Sequence, residues 1–381
     1  MAVTFWTLAA LVVYVYVGYP LLLFVVGRVF SRPVLRKDIE PRVTLVISAF
    51  NEEEVIAEKI RNSLKLDYPR ESLQVLVVSD ASEDKTDAIV QSFAQDGVEL
   101  LRMEERGGKT LGLNAAIQRA RGDIVVFSDA NAMYGTRVLR TLARNFADPS
   151  IGAVVGESTY SDPEVESERT EGLYWTYETW IKRLESRIGS VVGGDGAIYC
   201  IRRELYTPMK ADALSDFVNP LQIVRGGHRC LYEPAARSSE RAAHDFHREF
   251  RRKVRIVNRA WRALMGLRGL LNPLRHGFFS IELISHKLLR WLVPLLLLGV
   301  FATNLLLLGQ SPIYVVTLIA QVAFYLLALL GHSMRTRPQM PAFVSVPYYF
   351  CLVNIASALG IVDAYRGRTY ATWSTARAQS Q

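Results

Sequence analysis

Cysteine is scarce. The 381-residue chain has three, Cys200, Cys230 and Cys351, far apart and without CxxC spacing, so neither a disulfide framework nor a zinc site is indicated. A reducing cytoplasm fits that usage. The first strand-like run is not followed by GxGxxG, which argues against a dinucleotide-binding dehydrogenase. Internal repeats and low-complexity linkers are also missing. Charge is absent from Met1 to Gly27, whereas a cleaved signal peptide would show a charged start, a short apolar core and a small-residue cleavage site.

What is there is a chain divided between membrane and water. Half of its residues (50%) are hydrophobic, yet 22% are charged. The run Leu11 to Val26 is long enough to span a bilayer, and Arg28, Arg32, Arg36 and Lys37 follow it, as expected of a retained anchor whose C-terminal end is cytoplasmic. Three more apolar runs lie near the other end: Leu288 to Gly309, Pro312 to Gly331 and Phe343 to Val362. The first two read as a transmembrane hairpin. The third, with Ser345, Asn354 and Ser357 inside it and Arg366, Arg368 and Arg377 after it, is expected to lie in the interface or to be re-entrant. The net charge of +8 comes largely from basic residues between Arg237 and Arg275, next to the hairpin. Anionic headgroups account for them without a nucleic acid.

These features divide the chain into an anchor (1–30), a cytoplasmic globular domain (40–245), basic interfacial amphipathic helices (246–287, clearest from Phe250 to Leu264), a C-terminal transmembrane region (288–365) and a tail (366–381). A multi-pass protein of a bacterial inner (plasma) membrane is expected. Within 40–245, β-branched runs alternate with amphipathic stretches, the mark of an α/β fold with a mainly parallel, Rossmann-like sheet flanked by helices. The expected strands are Val43 to Ala49, Leu73 to Ser79, Val98 to Met103, Ile124 to Ser128 and Ala153 to Val155. The expected helices are Glu52 to Leu64, Asp84 to Ala94, Thr110 to Ala120 and Arg137 to Phe146. Open α/β sheets bind ligands beyond the carboxyl ends of their strands, and Asn51, Asp80 and Asp129 fall there.

Five segments carry a sharper signal: VISAFNEE (46–53), VVSDASEDKT (77–86), GGKTLGLNAA (107–116), FSDANA (127–132), and SDF (215–217) with HRCLYEP (228–234). In this order they resemble the family 2 glycosyltransferases of GT-A fold, from about Val43 to Trp261. The resemblance implies that Ala49, Asn51, Glu52, Asp80, Lys109, Asp129, Ala130 and Arg255 bind a nucleotide-sugar, a UDP-sugar by analogy. It implies that Asp129 and Asn131 hold Mg²⁺ or Mn²⁺ at the place of a DxD motif, and that Gly193, Gly194, Asp195 and Trp261 meet the acceptor. Asp216 takes the place of the general base, which must reach the acceptor hydroxyl.

The chain departs from the pattern in places. Asn131 replaces the second Asp, and Ser215 stands where an acidic residue usually precedes the base. In the QxxRW segment of processive synthases, Arg252 and Ile256 replace Gln and Trp, while Arg255 matches the Arg and Trp261 lies five residues on. The tail Trp373–Arg377 resembles a WGTR segment. Plainer readings stand beside these: Asp80 and Asp84 as turn and helix caps, the glycine pairs as ordinary turns, and Asp216 as a helix-start residue.

The resulting expectation is a membrane-bound inverting glycosyltransferase extending a polysaccharide for the envelope or for export. Next comes a single-addition enzyme acting on a polyprenyl-phosphate-linked or other lipid. From another class comes a non-catalytic scaffold or export subunit. The partners expected are a nucleotide-sugar donor, a glycan or lipid-linked acceptor, the bilayer, and a second copy or an export subunit.

Overall fold

The computed structural model describes residues 1–160, 166–240, 246–335 and 340–370, so the tail motif Trp373–Arg377 lies outside the described residues. Eight strands form one sheet in the order β3-β2-β1-β4-β7-β6-β8-β5. They are β1 Val43–Ala49, β2 Leu73–Ser79, β3 Val98–Arg102, β4 Ile124–Asp129, β5 Met133–Tyr134, β6 Ile151–Tyr160, β7 Tyr199–Arg202 and β8 Arg229–Glu240. β1, β2, β3 and β4 pair parallel, whereas β7 runs antiparallel to both β4 and β6. Every residue of β1 is buried, as in a strand covered on both faces, and its mainly apolar run, interrupted only by Thr44 and Ser48, reflects that.

Register fixes where the site forms. Ala49 pairs with Ser79 and Ser48 with Asp129, so the carboxyl ends of β1, β2 and β4 lie side by side and Asp80 and Asp129 leave the sheet at one edge. The opposite edge is closed by a buried polar network. Thr44 Oγ1 donates to Gln74 Oε1 (2.8 Å) and accepts from the Gly122 amide (2.8 Å), while Gln74 Oε1 also accepts from the Arg121 amide (2.8 Å).

The expected elements are present with shifted ends. The helix expected from Glu52 begins at Ile56, because the amides of Glu52 and Glu53 are taken by Thr86 Oγ1 (2.8 Å) and Asp84 Oδ2 (3.0 Å) of the neighbouring loop. Asp84 caps the next helix at the Thr86 amide (2.9 Å), and that helix runs Thr86–Ser92. The short strand expected at Ala153 to Val155 is the middle of the longer β6. β5, β7 and β8 were not expected, and neither was the long helix Glu166–Ile188.

Among the described residues, four helices are long and apolar enough to cross a membrane: Ala2–Val29, Phe278–Leu305, Pro312–Met334 and Ala342–Tyr365. The second starts at Phe278, ahead of the expected Leu288, because its polar residues His286 and Arg290 are paired inward. His286 lies 2.6 Å from Glu185 Oε1 and 3.1 Å from Glu178 Oε2, Arg290 bonds Glu178, and Tyr19 of the first helix donates to Glu185 (2.6 Å). Ionisable side chains at membrane depth face protein partners in this way.

The fourth apolar helix lies along the amphipathic helix Phe246–Gly266. A Cβ on Gly360 would stand 2.8 Å from Val254 O, Asn258 Nδ2 donates to the carbonyls of Gly360 and Arg368 (3.3 Å each), and Phe250 packs against Met340, Val344 and Tyr348. Half of its most apolar window (50%) is buried, against 11% in the second and third helices.

Gly122 tests the packing of the closed edge, since a Cβ there would stand 2.4 Å from the Thr44 amide nitrogen. Gly122→Ala is expected to destabilise the domain by about 1–3 kcal/mol, seen as a lowered melting temperature. An unchanged melt would show that the backbone yields there at little cost.

Candidate active site

The loops after β1 and β2 lock together. Asn51 adopts a left-handed φ of 51° and Ala81 one of 55°. Asn51 Oδ1 accepts from the Glu83 amide (2.9 Å), and Ser82 Oγ accepts from the Asn51 amide (3.2 Å). Asn is among the side chains that tolerate that conformation; Ala81 holds it without such help. Ala49 is buried and its carbonyl accepts from the Asp80 amide (3.0 Å).

Asp80 is 2% exposed. Its carboxylate accepts from the amides of Gly107 (2.8 Å) and Gly108 (2.9 and 3.0 Å). It therefore fixes the glycine loop that presents Lys109, whose helix runs Lys109–Arg119. Gly108 has φ 87°, a conformation open mainly to glycine.

Three side chains then converge. The Lys109 ammonium bonds Asp129 Oδ1 and also donates to Gly196 O (3.1 Å). A Cβ built on Gly196 would lie 3.4 Å from Lys109 Nζ, 3.5 Å from Asp216 Oδ2 and 3.8 Å from Asp129 Oδ2. Residues 109, 129 and 216 thus surround one small open point floored by glycine. Gly193 has φ 95°, and the Gly194 amide donates to Asp216 O (2.6 Å), where a side chain would collide at 2.6 Å. Here glycine is required by close approach, more than an ordinary turn requires. Asp195 accepts from the Ala197 amide through Oδ1 (3.1 Å), while its Oδ2 is buried without a partner among the described residues.

Asp216 begins the helix Ser215–Arg225. Burial raises its pKa; Lys109 opposes the shift, and Asp195 adds to it. Glu240, at the end of β8, is pushed up to about 7 by burial, with Asp129 and Asp195 adding to the effect. The site is therefore rich in carboxylates that share few cations.

The other expected residues are placed as follows. Ala130 is buried (2% exposed) and Asn131 half-buried in the turn after Asp129. Arg255 is half-buried, burial and Arg252 lower its pKa, and among the described residues it makes no hydrogen bond to residue 109, 129 or 216. Trp261 corrects the expectation of a sugar-stacking residue. It is 7% exposed and packed among Trp291 (6.3 Å), Tyr365 (6.1 Å) and Leu264, which leaves little surface for a saccharide.

The arginine that does reach this region is Arg259, one turn after Arg255. Its guanidinium donates to Asp212 O (3.1 Å), Thr110 Oγ1 (3.2 Å) and Ala213 O, tying the interfacial helix to the start of the lysine helix and to the loop before Asp216. Arg259 and Glu240 were missed in sequence reading. The first is one basic residue among many on its helix, and the second ends a strand that was not foreseen.

For a hard divalent cation, the protein offers Asp129, the Asn131 amide oxygen and the orphaned Asp195 Oδ2. No group of three His, Cys, Asp or Glu side chains is disposed to hold a metal among the described residues. That suits an ion carried largely by phosphate oxygens and water.

Comparison with known proteins bears on the family and the fold. Residues 44–206 match the family described as glycosyl transferase family 2. A Beta-monoglucosyldiacylglycerol synthase of Trichormus variabilis is 29% identical over 188 residues, 47% of this chain and 40% of the relative. A Poly-beta-1,6-N-acetyl-D-glucosamine synthase of Staphylococcus aureus is 24% identical over 213 residues, 54% of this chain and 51% of the relative. The match thus spans about half the length of these relatives. A mannosyltransferase of Pyrobaculum calidifontis, solved with GDP-Man and Mn²⁺, superimposes over 96% of this chain and 99% of its own with a TM-score of 0.71 at 23% identity. Residues 44–206 therefore match a family 2 glycosyltransferase domain, and the chain carries it on a GT-A-type fold with four candidate membrane helices among the described residues.

Proposed function

We propose that this chain is a membrane-bound, inverting glycosyltransferase that moves a sugar from a nucleotide-sugar to a lipid or lipid-linked acceptor at the bilayer surface. One observation carries the acceptor assignment. Phe217, next to the base Asp216, packs against Trp291 of the second apolar helix (6.0 Å), inside a cluster with Trp261, Phe279 and Leu283. The reacting point thus adjoins helices that meet lipid, where an acceptor with a membrane anchor has the shorter path. The basic residues flanking the first and second apolar helices support a cytoplasmic position for the domain. The fourth helix, lying along the interfacial one, keeps Arg366 and Arg368 on the same face.

In the proposed reaction, Asp216 accepts the proton of the acceptor hydroxyl. The acceptor oxygen bonds the anomeric carbon as the bond from that carbon to the diphosphate breaks, and the nucleoside diphosphate leaves with the electron pair. Lys109, held between Asp129 and Gly196 O, offers a point charge to the diphosphate. Asp80 secures the loop that carries it. Mg²⁺ or Mn²⁺ held by Asp129 and Asn131 would supply further positive charge to the leaving group. Asp195 and the glycines beside it shape the acceptor side.

Extension of a polysaccharide is the second reading, favoured by the poly-GlcNAc synthase match. The buried Trp261 counts against it. Product size separates the two: a single adduct per acceptor supports the lipid reading, and a ladder of oligomers overturns it.

Asp216→Asn is expected to lower turnover by roughly 10²–10⁴-fold with donor binding retained, measured by nucleoside diphosphate release and by calorimetry. Equal loss of both would remove Asp216 from the role of base. Because the base acts deprotonated and burial raises its pKa, kcat/KM should fall on acidification at a pH above the ordinary Asp value of about 3.9. An acid limb at or below that value contradicts the assignment. Gly196→Val should keep its melting temperature, since its Cβ meets only ordinary contacts, yet lose turnover by roughly 10²-fold through displaced reactants. Full activity would show that the substrates react elsewhere.

A further inference from the structure

Lys59 is a lysine where a hydrophobic residue is expected. It lies on the helix Ile56–Leu64 between Ile56 and Ile60, all three fully buried (0% exposed). Lysine is almost never so buried unless paired. Yet no carboxylate lies within ion-pair distance of it among the described residues. Its ammonium donates to the carbonyl of Ala132 and stands 3.7 Å from the centre of the Tyr134 ring. One carbonyl and one ring face compensate a buried charge only in part. Burial dominates and draws the lysine down to about 7, while the nearby carboxylates Asp129 and Glu240 favour its charged form and offset part of that cost.

Its contacts lead into the site from beneath. Ala132 closes the turn after Asp129, its amide donating to Asp129 O (3.3 Å). Asn62, one turn along the same helix, pairs with the Tyr134 backbone through its Nδ2 (2.9 Å) and Oδ1 (2.8 Å). The Tyr134 hydroxyl then donates to Ala197 O (2.8 Å), adjoining the Gly196 carbonyl on which Lys109 is braced. One helix face therefore holds both segments that define the open point: the turn carrying Asp129 and the loop carrying Gly196.

We propose that Lys59 is a positioning residue for sugar transfer, its buried ammonium holding the Asp129 turn directly and the Gly196 loop through Tyr134. A second task follows from its charge. It adds positive charge beneath the pocket, coupled electrostatically to Asp129 and Glu240, where a diphosphate and its counter-ion would bind. A side chain that only filled space would do neither. The proposal rests on the transferase reading above.

The test uses the full-length protein with three variants. Lys59→Met keeps the volume and removes the charge, Lys59→Arg keeps the charge, and Ile60→Ala weakens the same helix without touching the network. Lys59→Met is expected to remain folded, to bind nucleoside diphosphate roughly tenfold more weakly by calorimetry, and to lose roughly 10²-fold in kcat/KM. Lys59→Arg should recover a large part of both, and Ile60→Ala should keep kcat/KM despite a lower melting temperature. The proposal is overturned by a folded Lys59→Met with wild-type binding and turnover, or by Ile60→Ala losing as much as Lys59→Met at a similar melting loss. If Lys59→Met does not fold, Tyr134→Phe decides: loss of turnover at an unchanged melt supports the connection to Ala197, and full turnover refutes it. Absence of turnover in the wild-type protein would sink the transferase reading itself, an outcome distinct from a loss confined to Lys59→Met.

Discussion

The Lys109 ammonium is the point on which the site is built. It is shared between Asp129 Oδ1 and Gly196 O, so a helix start, a strand end and a glycine loop from distant parts of the chain meet at one cation. Each has its own fastening. Asp80 holds the glycine loop before Lys109, Lys59 and Tyr134 hold the segments around Asp129 and Gly196, and Asp216 is joined to Gly194 through backbone. The carboxylates gathered here suit a ligand whose phosphates arrive together with a divalent cation.

That electrostatic arrangement is physically continuous with the membrane part. Arg259 reaches from the interfacial helix to Thr110 and to the loop before Asp216, while Asn258 on the same helix holds the end of the fourth apolar helix. On the other side, Glu185 joins Tyr19 and His286 of two apolar helices and accepts from the Val192 amide (3.1 Å), just before the Gly193–Gly194 turn. The loops before Asp216 and Gly193 are thus both tied to candidate membrane helices.

Much of this was legible in the sequence, for reasons that can be named. β1, β2 and β4 are buried on both faces and read as mainly apolar, β-branched runs, so the strand ends before Asn51, Asp80 and Asp129 could be located. The expectation for Trp261 failed because spacing along a helix does not say which neighbour covers an aromatic ring, and here Trp291 and Tyr365 do. β7 and β8 were missed because their pairing is antiparallel or distant in sequence, and Glu240 was missed with them. The true start of the second apolar helix was hidden by Glu282, His286 and Lys287, which look polar in sequence; in the structure the first two are buried and Lys287 is half-buried. Lys59 did leave a signal, a lysine on the apolar face of an amphipathic helix, but sequence alone does not reveal the Ala132 carbonyl it meets.

The most direct test of the account is nucleoside diphosphate release by the detergent-purified protein, screened over a panel of nucleotide-sugars with Mg²⁺ or Mn²⁺, with and without a membrane lipid extract. The account predicts release from one donor, dependent on the metal and stimulated by the lipid. Silence across the panel from a folded sample would contradict it and favour a non-catalytic role for the same fold.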